Sequence, residues 1–358
     1  MKILIITLAG IGDALMFTPS VIKLKEFYPD SDIDVLTMFS GTENIYSGIP
    51  QINKIIYFDF LKEGIAKSLS FVFSIRGKYD ISFNVYPANR KEYNIISFLI
   101  GAKKRAAVSY LRKDFANLSF LNNVISREDD SLHNVEENIK LVEKVSGKKI
   151  DNIPELFFPL SAKDEQVAQK VLNEASIKDD DLVIGYHPGC AILKNHIKRR
   201  WEPEQFSALG KKLIDDFNAR ILVFGGPEEK ELKESVRDGI NSPRAIIINT
   251  GSLSQSAAVM KRCDVFVTND SSLMHVAGAL KLKTVVAIGP TNVNYIHPWQ
   301  TDYKIASLNL DCAPCFFYSP KPLTCSRTDV QFKCIRELDV KIVYGAVKSF
   351  IDDMKNLK

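Results

Sequence analysis

At 358 residues, with 46% hydrophobic and 25% charged side chains, the chain is globular and long enough for two domains of ordinary size. A net charge of +4 is too small to imply nucleic acid as a partner. No apolar run approaches the ~20 residues that a membrane-spanning helix needs, and the first residues carry no signal-peptide cleavage pattern, so a cytoplasmic protein is expected.

Through the first half, apolar strand-like runs at 2–8, 32–37, 54–58 and 80–85 alternate with helical periodicity near 13–28, 62–75, 90–100 and 133–146. That βαβα order predicts a parallel sheet covered on both faces. Between Arg76 and Lys113, nine Lys or Arg stand against Asp80 and Glu92. Such a stretch suits either an anionic surface or a solvated helix face, and the neighbouring Ile95, Ile96, Phe98, Leu99 and Ile100 suit either a core or a membrane contact. Residues 147–161, with Gly147, Pro154 and Pro159 and no periodicity, read as a connector. A second alternation follows, with strands at 181–188, 219–226, 244–251, 264–270 and 283–290. Its helices fall near 162–175, 203–217, 228–239, 254–262 and 272–280, and a final one runs from Val340 to Met354. Two doubly wound domains in series are expected to bind ligands at the carboxyl ends of their strands, across a cleft.

The strand ends carry the chemistry. After the first strand, Ala9-Gly10-Ile11-Gly12-Asp13 starts like a dinucleotide glycine turn but lacks the third glycine, position 15 being Leu. Asp13 reads either as a first-turn acid favoured by the helix dipole or as a functional carboxylate. In VFVTNDSSLMHVAGAL (265–280) a β-branched run gives way to Asp270, Ser271 and Ser272, all N-cap types, and then to Leu273, Val276, Ala277 and Leu280 at helical spacing. A helix start at a strand end is a candidate diphosphate site. His275, one turn in, is either packed or a ligand contact. Other strand-end turns hold His187-Pro188-Gly189 before Cys190, Gly225-Gly226-Pro227-Glu228-Glu229, and Gly289-Pro290-Thr291. Lys198, Arg199 and Arg200 precede Trp201 and suit a diphosphate, while Glu228 or Glu229 suits a ribose diol. Cys312, Cys315, Cys325 and Cys334 fall within 23 residues and read as a tetrahedral zinc site or as reduced thiols packed in a loop.

Taken in order, GIGDALMFTPSVIKLKEFYP, HPG followed by KRRW, VFGGPEE, NTGSLS, and NDSSLMHVAGAL followed by VVAIGPT resemble glycosyltransferase family 9, the bacterial ADP-heptose:lipopolysaccharide heptosyltransferases, over nearly the whole chain. The resemblance implies an α/β fold of the GT-B type, two Rossmann-like doubly wound parallel-sheet domains facing across a cleft. An acceptor-binding domain would span 1–160, and a nucleotide-sugar-binding domain 161–335 would include the Cys-rich loop 312–334. A C-terminal helix within 336–358 would pack back on the N-terminal domain. The implied reaction is inverting transfer of a heptose from ADP-heptose to a lipopolysaccharide inner-core acceptor, with Asp13 as general base.

Substrate contacts are then expected from Gly10, Gly12, Gly189, Cys190, Lys198, Arg199, Glu228, Asp270, Ser271, Ser272, Leu273, His275, Gly289 and Thr291. The family's phosphate-binding Lys, two positions before the Trp, falls on Arg199 with Lys198 adjacent, which leaves open which of the two holds phosphate. A helix N-terminus and these cations would stabilise the ADP leaving group, so no cofactor is expected for catalysis, and zinc on the four cysteines would be structural only. Partners would be the nucleotide-sugar, the lipopolysaccharide core and, peripherally, the cytoplasmic face of the inner membrane. The alternatives are a related transferase using a different nucleotide-sugar, and a nucleotide-sugar-binding protein without turnover.

Overall fold

A computed structural model describes residues 1–112, 114–318 and 321–356, and the chain divides into two compact units. The first contains Met1–Pro159 together with Tyr318; the second contains Leu160–Phe317 and the chain from Lys321 onward. Lys113, the last cation of the basic stretch, and residues 357–358 of the expected C-terminal segment lie outside the described residues.

The first unit is built on six parallel strands, β1 (Lys2–Thr7), β2 (Asp32–Thr37), β3 (Lys54–Tyr57), β4 (Ile81–Asn84), β5 (Lys104–Ser109) and β6 (Val124–Arg127). They are ordered β3-β2-β1-β4-β5-β6. Five of the six residues of β1 are buried, as an apolar run at the centre of a sheet covered on both faces must be. Leu4, Ile6, Leu8 and Leu36 pack against Val72, Ile75 and Ile100 from the covering helices to form its core. The helix expected at 13–28 is two helices, Ile11–Leu15 and Thr18–Phe27. Pro19 sits in the first turn of the second, where a missing N–H is harmless, and Phe17 is fully buried at the break. Helix Asn134–Ser146 starts at His133, whose Nδ1 accepts from Val135 N–H at 3.1 Å while Glu136 Oε2 accepts from His133 N–H at 2.7 Å. The helix ends at Gly147 with φ +71°, and the chain then runs to Pro159 without regular structure.

The second unit repeats the plan with β7 (Val183–His187), β8 (Arg220–Val223), β9 (Ala245–Ile247), β10 (Val265–Asn269), β11 (Lys283–Ala287) and β12 (Tyr303–Ala306). Their order is β12-β11-β10-β7-β8-β9, again parallel throughout. Both sheets therefore reverse direction between their first and fourth strands, β1/β4 and β7/β10. Ligands of doubly wound sheets bind at the carboxyl ends of such a pair.

Two expectations need correction. The basic stretch is not one helix face, because Lys104 and Arg105 lie in β5, where Lys104 Nζ donates to Val145 O at 3.0 Å and the Arg105 guanidinium to Ala102 O at 2.8 Å. The C-terminal helix Val340–Asn356 belongs to the second unit. It buries Val343, Val347, Phe350 and Ile351 and packs on helix Pro203–Phe217 and on β10, β11 and β12, and Lys304 of β12 donates to Ser349 Oγ at 2.9 Å.

Candidate active site

At the β7/β10 ends a buried polar cluster is assembled from four turns. Asn269 closes β10 and ties two of them: its Oδ1 accepts from Trp201 N–H at 2.9 Å, and its Nδ2 donates to Pro188 O at 2.7 Å. Trp201 is fully buried and donates Nε1–H to Leu338 O at 2.8 Å, which anchors the chain leaving the basic loop. Arg199, two residues earlier, is thereby held inside the cluster at 8% exposure, while Lys198 points to solvent.

Arg199 Nη1 donates to Asp270 Oδ2, and Thr291 Oγ1 donates to the same oxygen at 2.7 Å. The guanidinium carbon lies 5.0 Å from the Phe316 ring centre, and Nη2 is 3.2 Å from His196 Nδ1. Arg199 Nε is buried without a hydrogen-bond partner among the described residues. Both η nitrogens are thus engaged by protein groups, and Nε alone is a donor left without a partner, inside the cluster. Burial, with Arg199 beside it, pushes His196 down to about 4, and burial pushes His275 to about 4 against the pull of Asp270. Both rings are therefore neutral at pH 7. His275 is packed beneath the helix start rather than exposed to a ligand, and its Nδ1 has no partner among the described residues.

Ser271 occupies the N-cap position of helix Ser272–Ala279 but makes no side-chain cap. Its hydroxyl is turned to His187 Nδ1 at 2.8 Å and to Thr268 Oγ1 at 3.0 Å. His187 Nε2 in turn meets Glu229 Oε2 at 3.1 Å, and Gly226 N–H donates to that oxygen at 3.0 Å. Burial alone would raise the Glu229 carboxyl, but His187, Gly226 N–H and Arg200 hold it below its ordinary value. With Ser271 engaged elsewhere, the first turn of the helix lacks a side-chain cap and presents the positive end of its dipole to the strand ends.

Gly189 passes so close to this row that a Cβ would lie 1.6 Å from Glu229 Oε1 and 2.8 Å from His187 Nε2, so any side chain here would have to displace them. A Cβ on Gly289 would stand 3.1 Å from Cys334 Sγ, which places the β11 turn against the cysteine loop. Cys190 is buried, with Sγ 3.3 Å from both Ala191 O and His196 O, and burial pushes its thiol up.

In the first unit, Asp13 sits on helix Ile11–Leu15 just beyond the end of β1, half-buried, and its Oδ2 accepts from Gly10 N–H at 3.1 Å. Tyr93, pushed up to about 12 mainly by burial, and Tyr110, raised well above its usual value by burial, both feel the Asp13 charge. The end of β4 supplies Asn84, which donates to Asn94 Oδ1 at 3.0 Å and whose own Oδ1 is buried without a partner among the described residues. Tyr86 follows and donates to Glu128 Oε1 at 2.6 Å, and Tyr318 stands edge-on to its ring with centres 5.6 Å apart. Asn84, Asn94, Tyr86 and Tyr110 lie close together beyond β4 and β5. The first sheet thus places one carboxylate beyond the end of β1 and a group of polar and aromatic side chains beyond the ends of β4 and β5.

The family model of glycosyltransferase family 9 (heptosyltransferase) matches residues 74–323. The chain belongs to glycosyltransferase family 9. Over 310 residues it is 28% identical to lipooligosaccharide heptosyltransferase 2 of Haemophilus ducreyi, covering 83% of this chain and 86% of that protein. It is 25% identical over 356 residues to lipooligosaccharide heptosyltransferase 2 of Campylobacter jejuni, with 98% of each chain covered. Among solved structures, that of Escherichia coli ADP-heptose LPS heptosyltransferase II superposes with a TM-score of 0.75 at 20% identity, over 99% of this chain and all of that one. The chain is accordingly a glycosyltransferase, and its two six-stranded units have the GT-B fold.

Within this family 9 transferase, Arg199, Asp270, Ser271, Thr291, Gly189 and Cys190 come together in the second unit, with Ser272, Leu273 and Gly289 on the adjoining turns. Glu228 is exposed, and its neighbour Glu229 occupies the cluster instead. Gly10 and Gly12 lie with Asp13 in the first unit. Sequence reasoning missed the working partners of these residues: His187 against Ser271, His196 and Phe316 around Arg199, and Lys233, which donates to Gly225 O and Asn249 Oδ1 at 3.0 Å each beneath the β8 turn. His187 at the end of an apolar strand was the available signal.

A structural zinc is not shown. Cys312, Cys315, Cys325 and Cys334 lie within electrostatic reach of one another, yet no group of three or more His, Cys, Asp or Glu among the described residues is arranged to hold a metal ion. The sulfurs have other neighbours: Phe332 N–H donates to Cys325 Sγ at 3.3 Å, Arg327 Nη1 stands 3.8 Å from Cys312 Sγ, and Cys334 is buried against the Gly289 turn.

Proposed function

We propose that the enzyme moves a heptose from ADP-heptose to a lipopolysaccharide inner-core acceptor with inversion. The relatives named above support the sugar and the acceptor, and the buried cation, hydroxyls and uncapped helix start around Arg199, Asp270 and Ser271 are the observation that carries the donor assignment. In this reading the second unit binds the nucleotide-sugar and the first the acceptor. The α- and β-phosphates lie against the start of helix Ser272–Ala279 and beside Arg199, where backbone N–H groups and a guanidinium offset the charge that develops on ADP as the glycosidic bond breaks. Arg199, rather than the exposed Lys198, is the phosphate ligand.

Asp13 acts as general base. A carboxylate is a weak base toward an alcohol, so Asp13 takes the proton as the bond to the sugar forms rather than before. The leaving group needs no metal, because the helix start and Arg199 already neutralise it. Glu229, with its carboxylate engaged by His187, orients Ser271 and lines the ribose side of the pocket. The cysteine loop serves as packing for the β11 turn, and metal analysis of protein purified without chelators should then find zinc far below one equivalent. The protein would work in the cytoplasm at the inner face of the inner membrane, where such an acceptor is presented.

Incubating the enzyme with ADP-heptose, other nucleotide-sugars and truncated lipopolysaccharides, read by mass spectrometry, tests the reading. A heptosylated product from ADP-heptose supports it, and turnover confined to another nucleotide-sugar overturns the donor assignment.

A further inference from the structure

Helix Gly64–Ser74 of the first unit has two apolar sides. Phe71 and Val72, with Ile75 just beyond, face the core beside Leu4, Leu36 and Ile100. The other side is exposed. Ile65, Leu69 and Phe73 recur every fourth residue with exposures of 81%, 40% and 51%, and Leu61, in the turn before the helix, is 61% exposed. On the neighbouring helix Lys91–Ile100, Phe98 is 46% exposed. The Arg76 guanidinium joins the two helices, lying 5.7 Å from the Phe73 ring centre while Nη1 donates to Leu99 O at 3.3 Å. Arg105 lies 5.7 Å from the Phe98 ring centre. Large apolar side chains scattered singly need no explanation, but a continuous stripe on a surface helix marks an interaction face.

The rim of the stripe is basic. Between residues 61 and 78, Lys62, Lys67, Arg76 and Lys78 stand against one carboxylate, Glu63, and Lys103 is exposed nearby. The carboxylates that face this rim are Glu63, paired with Lys67 at 2.9 Å, Asp59, paired with Lys62 at 3.5 Å, and Asp80, paired with Lys103 at 2.8 Å. Arg76 and Lys78 carry positive charge beyond those pairs.

We propose that this face docks the enzyme on an anionic phospholipid bilayer. Ile65, Leu69 and Phe73 enter the boundary between headgroups and acyl chains, and the lysines and arginines at the rim meet lipid phosphates, the arrangement of an interfacial amphipathic helix. No described helix is long and apolar enough to cross a membrane, so the contact is peripheral. Charge favours lipid over a second copy of the chain: a two-fold pair would set the same cationic rim against itself, whereas a bilayer carrying phosphatidylglycerol is complementary to it. The inference is independent of the transfer reaction, since these residues lie outside the proposed donor and acceptor machinery.

The test uses the full chain in vesicle flotation, with phosphatidylcholine vesicles and with the same vesicles containing phosphatidylglycerol. Binding should require the anionic lipid and weaken as salt rises. Ile65→Ser/Leu69→Ser/Phe73→Ser should weaken it at least tenfold, and Lys67→Glu or Lys78→Glu each by about fivefold or more. These positions are exposed, so circular dichroism and ADP binding should match the wild type. Equal binding to neutral vesicles, or unchanged binding by the triple variant, overturns the proposal. So does a wild-type dimer in sedimentation equilibrium that the triple variant abolishes, which would give the face to a second copy.

Discussion

Gly189→Ala isolates the fit of the His187–Glu229–Gly189 row. The added methyl would lie 1.6 Å from Glu229 Oε1, whereas non-bonded heavy atoms need about 3.5 Å, so the carboxylate must move by about 2 Å. That displacement breaks its bonds to His187 Nε2 at 3.1 Å and to Gly226 N–H at 3.0 Å. Hydrogen bonds to a charged group contribute about 1.5–3 kcal/mol each, and partial relaxation leaves a loss of about 3 kcal/mol. In a domain of this size that lowers the unfolding midpoint by about 6–12 °C. Glu229→Ala should cost a similar amount by removing the same two bonds. The informative variant is the double one: with Glu229 shortened only the 2.8 Å approach to His187 Nε2 remains, so Gly189→Ala/Glu229→Ala should lose clearly less stability than the two single losses added together. Thermal unfolding of the four proteins, with and without ADP, measures this. Additive losses in the double variant would show that Gly189 is not constrained by Glu229, and the reasoning would fail.

Asp13→Asn should lower kcat by roughly 10²–10⁴-fold while ADP affinity stays within about twofold; a near-wild-type turnover number in steady-state assays would remove Asp13 from the mechanism. Transfer activity should survive exhaustive EDTA treatment, and loss with recovery on added Mg²⁺ would contradict a leaving group neutralised by the helix start and Arg199. Arg199→Met should raise the donor KM at least tenfold while Lys198→Met changes it by less than about threefold, the buried cation being the phosphate ligand; the reverse ranking in donor titrations would assign the phosphate to Lys198. His275, held at about 4 by burial, refuses a proton that the unfolded chain binds at about 6.5. Stability is therefore unaffected by this ring above that pH and falls as pH drops toward 4, by about 3 kcal/mol. Urea unfolding from about pH 7 to about pH 4 should show that His275→Gln loses this part of the slope, and identical slopes would refute the burial argument.

The central strands that sequence patterning located, β1, β2, β7, β10 and β11, are almost wholly buried and mostly apolar or β-branched. β5 (KRAAVS), β6 (VISR) and β12 (YKIA) were missed because they are short or carry charge, and β6 and β12 are edge strands with less to bury. The Asp270-Ser271-Ser272 turn was legible because small polar residues after a β-branched run have few other uses. The pairings that define the site were not, since Arg199 meets Asp270 across 71 residues and His187 meets Ser271 across 84. Glu229 rather than Glu228 enters the cluster because the tight Gly226-Pro227 turn aims the second acid inward, a matter of one residue's rotation that composition does not encode.

A crystal structure of the enzyme soaked with ADP tests the central claim most directly. The account predicts the β-phosphate at the first turn of helix Ser272–Ala279, within hydrogen-bond distance of the Arg199 guanidinium. A nucleotide seated at the carboxyl ends of β1 and β4, or one whose phosphates avoid the Ser272 turn, would contradict it.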